Sequence, residues 1–279
     1  MSISDKNTVE KQYNTSNHLN TRISIHDKYS TNKQGFGNWI TSHYDIREGM
    51  KVLELGCGTG SMWVGKGELV AKCSQLILSD FSAGMLEQTK STLADLEGIE
   101  YQVIDIQNIP YADQTFDVVI ANMMLYHVPD LERGLREVRR VLKEDGTFYC
   151  ATYGENGIME YIYGLFEKYD VKASPNHAFT MQNGADKLGN VFDEVKRFNY
   201  EDALEVTNFD DMADYVYSLA GMSGLENVSR ETMLQVLNEN AVDGVLRVPK
   251  DYGIFTVKVS NGTVPVAGRD LQRRHIPGG

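Results

Sequence analysis

Short apolar runs alternate with longer polar, helix-length stretches through the first half of the chain. Val52-Leu53-Glu54-Leu55, Leu76-Ile77-Leu78, Tyr101-Gln102-Val103-Ile104 and Phe116-Asp117-Val118-Val119-Ile120 read as strands, and a fifth ends at Cys150-Ala151-Thr152. Upstream, His18 to Tyr29 places Leu19, Ile23 and His26 on one helical face, and Trp39-Ile40 falls on a second short helix. Ser61 to Lys72 is expected to be a helix with a late or irregular start, because Gly65 and Gly67 each cost about 1 kcal/mol of helix propensity. Downstream, Ile158 to Phe166 reads as an aromatic helix and another follows His177 to Thr180. A sixth strand falls within Val195 to Val206, and a seventh at Tyr252 to Val259 closes the sheet. The helices between them open at two caps, Asn208 and Ser229, the second running to Val242.

The first strand runs directly into Gly56-Cys57-Gly58-Thr59-Gly60. Glycines there permit the positive φ of a tight strand-to-helix turn and let backbone approach a ligand. The pattern is neither a dinucleotide fingerprint, which wants glycine or alanine where Ser61 stands, nor a phosphate-binding P-loop. Glu54 would repel a pyrophosphate but suits a sulfonium or ammonium group. Asp80, ending the second apolar run, is placed to accept from both hydroxyls of a ribose. Asp105 and Ile106, ending the third, suit an adenine pocket: a carboxylate for the exocyclic amine and a side chain to pack on the ring.

The chain resembles a class I S-adenosylmethionine-dependent methyltransferase with a small-molecule methyltransferase domain. The matching segments are VLELGCGTG at 52–60, LILSDFSAGML at 76–86, DIQNIPYADQTFDVVIAN at 105–122, LYHVPD at 125–130 and LREVRRVLKEDGTFYCATYG at 135–154. The resemblance implies a doubly wound, Rossmann-like α/β sheet of seven strands, six parallel and one antiparallel, with helical cap and lid additions. It divides the chain into an N-terminal arm and cap over 1–44, a methyltransferase domain over 45–260 with a lid insertion at about 155–190, and a disordered tail over 261–279. It makes S-adenosyl-L-methionine the cofactor. Gly56, Gly58 and Gly60 become its methionine-side loop, with Asp80 on the ribose, Phe81 and Met85 beside it, Asp105 and Ile106 on the adenine and Asn122 next to the sulfonium.

Composition bears on the acceptor. A net charge of −12, with no basic stripe before the last dozen residues, disfavours a nucleic-acid substrate. Asn122 is followed by Met123-Met124, not by the Pro-Pro-aromatic segment of enzymes that methylate DNA amino groups. Cys57, Cys73 and Cys150 form neither a metal spacing nor a disulfide framework, which suits a reducing cytoplasm, and no stretch reads as a membrane span or secretory signal. The expected acceptor is a small molecule, with no nucleic-acid or membrane partner.

Methyl transfer needs mainly alignment of donor and acceptor. His127, at the end of the fourth strand, is the leading candidate for a base, the alternative being that it shapes the acceptor wall with Tyr126. Tyr13, Arg22 and His26 are candidates to reach the methionine carboxylate or the acceptor; Arg22 leads because a guanidinium pairs bidentately with a carboxylate. Tyr153, Glu160 and His177 complete the expected acceptor pocket. Two other functions remain open at this level: a noncatalytic protein that binds or senses S-adenosylmethionine, and an oxidoreductase sharing the fold.

Overall fold

The computed structural model describes residues 16–169, 171, 176–219, 224–225 and 227–259, with side chains from Thr21 onward. Tyr13, the side chain of Leu19 and the 261–279 tail lie outside the described residues. Seven strands form one sheet: β1 (Met50–Leu55), β2 (Cys73–Asp80), β3 (Ile99–Val103), β4 (Phe116–Ile120), β5 (Leu142–Tyr153), β6 (Glu194–Tyr200) and β9 (Tyr252–Lys258). Their spatial order is β3-β2-β1-β4-β5-β9-β6. β9 runs antiparallel to both its neighbours and the other six are parallel, as the resemblance implied.

The alternation of side chains in β1 sets the layers. Leu53 and Leu55 pack on one face with Ile77, Val119, Phe148 and the Leu135–Val138 side of α5 (Leu131–Val141). Val52 points to the opposite face with Leu76, Leu78, Val118 and Ile120. That face is covered by α2 (Phe36–Thr41), α3 (Gly67–Lys72) and α4 (Ala83–Thr92) through Ile40, Val70 and Leu86. β1 pairs with β2 on one side and β4 on the other, so the chain reverses its winding there and leaves a crevice at the carboxyl ends of these strands.

A third apolar cluster lies outside the main sheet. It joins α1 (Ser16–Tyr29), α6 (Ile158–Leu165), α8 (Phe209–Ser218) and α9 (Arg230–Glu239) to a two-stranded ribbon of β7 (Ala203–Val206) and β8 (Leu246–Pro249), while α7 (Gly184–Gly189) packs on the main sheet through Leu188. The caps at Asn208 and Ser229 are present, their side-chain oxygens accepting from the Asp210 and Thr232 N–H groups at 3.0 and 3.1 Å.

Two expectations need adjustment and two others gain detail. Ser61 to Lys72 is a 3-10 turn at Ser61–Trp63 followed by α3, because Gly65 adopts φ 72° and interrupts the helix. The sixth apolar stretch is two strands: Glu201 and Asp202 turn the chain out of the main sheet, so β7 pairs with β8 and, by an isolated bridge at Leu204, with Ser30. On α1, Ile25 is the core residue while Ile23 is 41% exposed. The helix expected to end at Val242 ends at Glu239.

The turn after β6 is held by an ion pair out of solvent. Lys250 Nζ donates to Asp202, and the two side chains are 3% and 0% exposed. Asp202 also accepts from Thr31 Oγ1, Asn32 N–H and Ala203 N–H, and Lys250 donates to Ser30 Oγ at 2.9 Å. Burial alone would raise the Asp202 carboxyl; the Lys250, Asn32 and Thr31 donors hold it below its ordinary value. The pair thereby fastens the segment after α1 to β7 and β9. Asp202→Ala is expected to lower stability by about 3–5 kcal/mol in chemical denaturation, since it leaves a buried lysine unpaired, whereas Asp202→Asn combined with Lys250→Met should cost clearly less.

Candidate functional site

Gly56, Gly58 and Gly60 adopt φ of 70°, 57° and 76°. A Cβ at Gly56 would stand 2.9 Å from the Met124 side chain, and one at Gly60 would stand 2.7 Å from Thr89 Cγ2. Asp80 ties this turn to the next strand: its carboxylate accepts from Gly58 N–H at 3.1 Å and from Ser82 N–H at 2.9 Å. Ser82 in turn caps α4 through Met85 N–H. Burial raises the Asp80 carboxyl, while N–H groups of Ser82, Gly58 and Phe81 oppose that shift.

The turn and the ends of β1 to β4 enclose a cavity of about 340 Å³. Its charged walls are Glu54, Asp80 and Asp105, and no lysine or arginine contributes among the described residues. Gly56, Gly58, Phe81, Met85, Ile106, Asn122 and His127 line it as well, so most of the residues picked for the cofactor converge. Gly60 does not line it; its contribution is the turn's conformation. Asp105 accepts from Gln107 N–H at 3.0 Å, and Ile106 is buried beside it. Asn122 is fixed at both ends, accepting from Ala151 N–H at 3.1 Å and donating to Tyr44 Oη at 2.6 Å. Tyr44 was not singled out from sequence; it precedes the first strand and carries no local signal of its partner.

Glu54 is 2% exposed and accepts from Trp63 Nε1 at 2.6 Å. Burial raises its carboxyl from 4.5 to about 7, against the pull of the indole N–H and with a further push from Asp80. His127 ends a 3-10 turn, Leu125–His127, with its ring 4.5 Å from that of Tyr126. Burial lowers it to about 4, so near neutrality it is an uncharged and weakly basic imidazole. That environment is poorly matched to proton abstraction near pH 7 and favours the wall role.

Other expected acceptor residues lie elsewhere. Arg22 Nη2 donates to the Ser218 carbonyl at 3.2 Å and does not line the cavity, because its face of α1 is turned toward α8. Tyr153 donates to the Asn176 carbonyl at 2.6 Å and its ring packs on Tyr126 at 4.6 Å. His177 Nε2 sits 3.7 Å from Glu160 Oε1, and Glu160 also accepts from Gly157 N–H at the start of α6. None of Tyr126, Tyr153, Glu160 and His177 lines the cavity, and none of the described residues of the 155–190 insertion forms its wall. The cap does: Ile23 of α1 and Phe36 and Ile40 of α2 close that side. His26 lines an adjoining cavity.

A strand order reversing at β1, a glycine turn and acids at successive strand ends define a doubly wound α/β domain with a cleft at its carboxyl edge. Residues 53–150 match the family described as "Methyltransferase domain". A demethylmenaquinone methyltransferase of Staphylococcus epidermidis is 33% identical over 132 residues, covering 47% of this chain and 55% of the relative. The chain thus spans about half the length of that curated relative. Among solved structures, a methyltransferase from Bacillus halodurans superposes with a TM-score of 0.57 at 14% identity, covering 81% of this chain and 99% of the other. The cyclase SpnF superposes with a TM-score of 0.53 at 13% identity, covering 90% and 97%. A protein named for cyclisation shares the architecture, so the fold by itself does not name a reaction. Residues 53–150 thus match a methyltransferase domain by sequence, and the superpositions show that the chain shares the fold of these neighbours.

The raised Glu54 carboxyl has a consequence for stability. A group protonated more readily in the folded than in the unfolded chain contributes fully below its unfolded value of 4.5, and the contribution is lost as pH rises through about 7. Glu54→Gln keeps an acceptor for Trp63 and removes the titration. The melting temperature of Glu54→Gln should therefore gain on that of the ligand-free native protein between pH 5 and 8, by the equivalent of roughly 3 kcal/mol.

Proposed function

We propose that the protein transfers a methyl group from S-adenosylmethionine to a small-molecule acceptor by in-line displacement, leaving S-adenosylhomocysteine. The observation carrying this reading is the acidic cavity at the carboxyl ends of β1 to β4, walled by Glu54, Asp80 and Asp105 and approached by side-chain-free backbone at Gly56 and Gly58. An all-acidic wall fits a cofactor with cationic sulfonium and ammonium groups, and argues against a pyrophosphate. When bound, this cofactor supplies a methyl group already activated for displacement.

The protein's part is to hold and orient. Asp80, pinned by two N–H groups, offers its remaining lone pairs to ribose hydroxyls. Asp105 and Ile106 receive the adenine, and the Gly56–Gly58 turn the methionine end. Asn122, locked by Tyr44 and Ala151, presents a fixed wall beside the reacting group. The cap helices α1 and α2 exclude water from that end. A small-molecule acceptor accords with the net charge of −12 and with the quinone-directed name of the Staphylococcus epidermidis relative. The free, buried Cys57 and Cys150 accord with a reducing, cytoplasmic setting.

S-adenosylhomocysteine should raise the melting temperature in proportion to its affinity, while NAD and ATP leave it unchanged. Asp80→Ala should weaken that binding by about 2–4 kcal/mol, read by titration calorimetry. Tight NAD binding with no response to the sulfonium cofactor would overturn the assignment.

His127 separates two modes of action. With an imidazole lowered to about 4, His127→Asn should keep kcat within roughly tenfold of native, its cost falling on KM. A fall in kcat of about 100-fold or more, accompanied by loss of the acidic limb of the pH profile, would restore His127 as the base.

A further inference from the structure

A second cavity, of about 480 Å³, abuts the first. The two share Ile23, Phe36, Ser61, Met62 and Met123, an almost wholly apolar boundary. Met123 holds a left-handed backbone there, φ 54°, fixed by its N–H donating to the Ala151 carbonyl at 2.8 Å. A non-glycine residue in that region is strained, and strain of this kind gathers where a side chain has to be aimed.

Away from the boundary, the charge inverts. Lys33, Lys66 and Lys250 line the second cavity against Asp27, in a chain whose net charge is −12. Lys250 is matched by Asp202 and forms a fixed floor with Tyr252, its Nζ 5.5 Å from the ring centroid. Lys66 donates to the neutral Asn38 Oδ1 at 2.8 Å, and neither Lys66 nor Lys33 has an ion-pair partner among the described residues. His26 Nδ1 is shielded from solvent and lacks a hydrogen-bond partner among the described residues, although its ring lines the cavity. An apolar mouth toward the donor, two unmatched cations and a buried unsatisfied imidazole make a site for something amphipathic and negative.

We propose that the second cavity is the methyl-acceptor site and that it takes a small carboxylated molecule, with its methyl-accepting end at Met123 and its carboxylate toward Lys33 and Lys66. The inference rests on the reading of the first cavity as the cofactor site. It replaces the 155–190 insertion as the place where acceptor choice is made.

The test uses the full chain saturated with S-adenosylhomocysteine and, as probes, 4-hydroxybenzoate and 4-hydroxycinnamate beside their neutral amides, followed by calorimetry. The acids should bind at least about tenfold more tightly than the amides, and Lys33→Gln with Lys66→Gln should abolish that preference while changing S-adenosylhomocysteine affinity by less than about twofold. Both lysines are at least partly exposed, so the variants are expected to fold. Equal affinity of acids and amides, a preference that survives the double substitution, or no binding by either series overturns the proposal and leaves the cofactor assignment intact. A loss of S-adenosylhomocysteine affinity in the double variant also overturns it, because the lysines would then serve the cofactor's own carboxylate. Failure of S-adenosylhomocysteine to bind the native protein removes the cofactor reading and this one with it.

Discussion

One carboxylate holds the site together. Asp80 ends β2 with its oxygens between Gly58 N–H and Ser82 N–H, joining a glycine turn from one βα unit to the cap of the next helix. Without it the turn after β1 would have three positive-φ glycines at alternate positions and little to choose their position, since glycine loses more conformational freedom on ordering than any other residue. Thr89 adds a second tie by donating to the Gly58 carbonyl at 2.6 Å. The same contacts that order the turn forbid side chains at Gly56 and Gly60, where Met124 and Thr89 already occupy the space.

Concentrating acids in this crevice has an electrostatic cost that the fold meets in different ways. Asp80 and Asp105 are each supplied with backbone N–H donors, whereas Glu54 has the Trp63 indole and lies almost wholly out of water. Glu54 is therefore the acid that yields, drawn up to about 7, and the one whose charge is most readily restored by a cation arriving beside it. Ligand-free and cation-bound states of such a crevice differ in protonation as well as in occupancy.

The central sheet was legible because β1, β2 and β4 are compact apolar runs with turn chemistry at their ends, with β3 and the apolar end of β5 spaced between polar stretches, and strand-end acids follow from the same reading. Long-range geometry was not. Arg22 has the right chemistry for a carboxylate, but residue type cannot say which side of α1 faces α8, and the guanidinium meets the Ser218 carbonyl. Ile23 and Ile25 pose the same problem: two residues two positions apart fit different helical faces, and packing against α8 and the ribbon buries Ile25 while Ile23 lines the cleft. β6 and β7 were merged because the interruption is made by Asp202 finding Lys250, 48 residues away. Tyr44 and Trp63 entered the site through partners 78 and 9 residues distant, with no motif to mark them.

The Asp202–Lys250 pair links these long-range features to the cleft. By taking Ser30, Thr31 and Asn32 into its hydrogen bonds it fixes the path between α1 and α2, and hence the position of Phe36 on the boundary between the two cavities. Phe36 is further wedged against Tyr200 and Tyr252, with ring centroids 5.2 Å from each. A buried ion pair is a weak source of net stability, since desolvation offsets most of its attraction, but its strict geometry is suited to setting the position of a segment. The cap is thus positioned by polar contacts beneath it while its apolar side chains face the cleft. A wall so arranged can keep an acidic chamber and a basic one separate at close range, because the apolar side chains between them leave little water to screen the difference in potential.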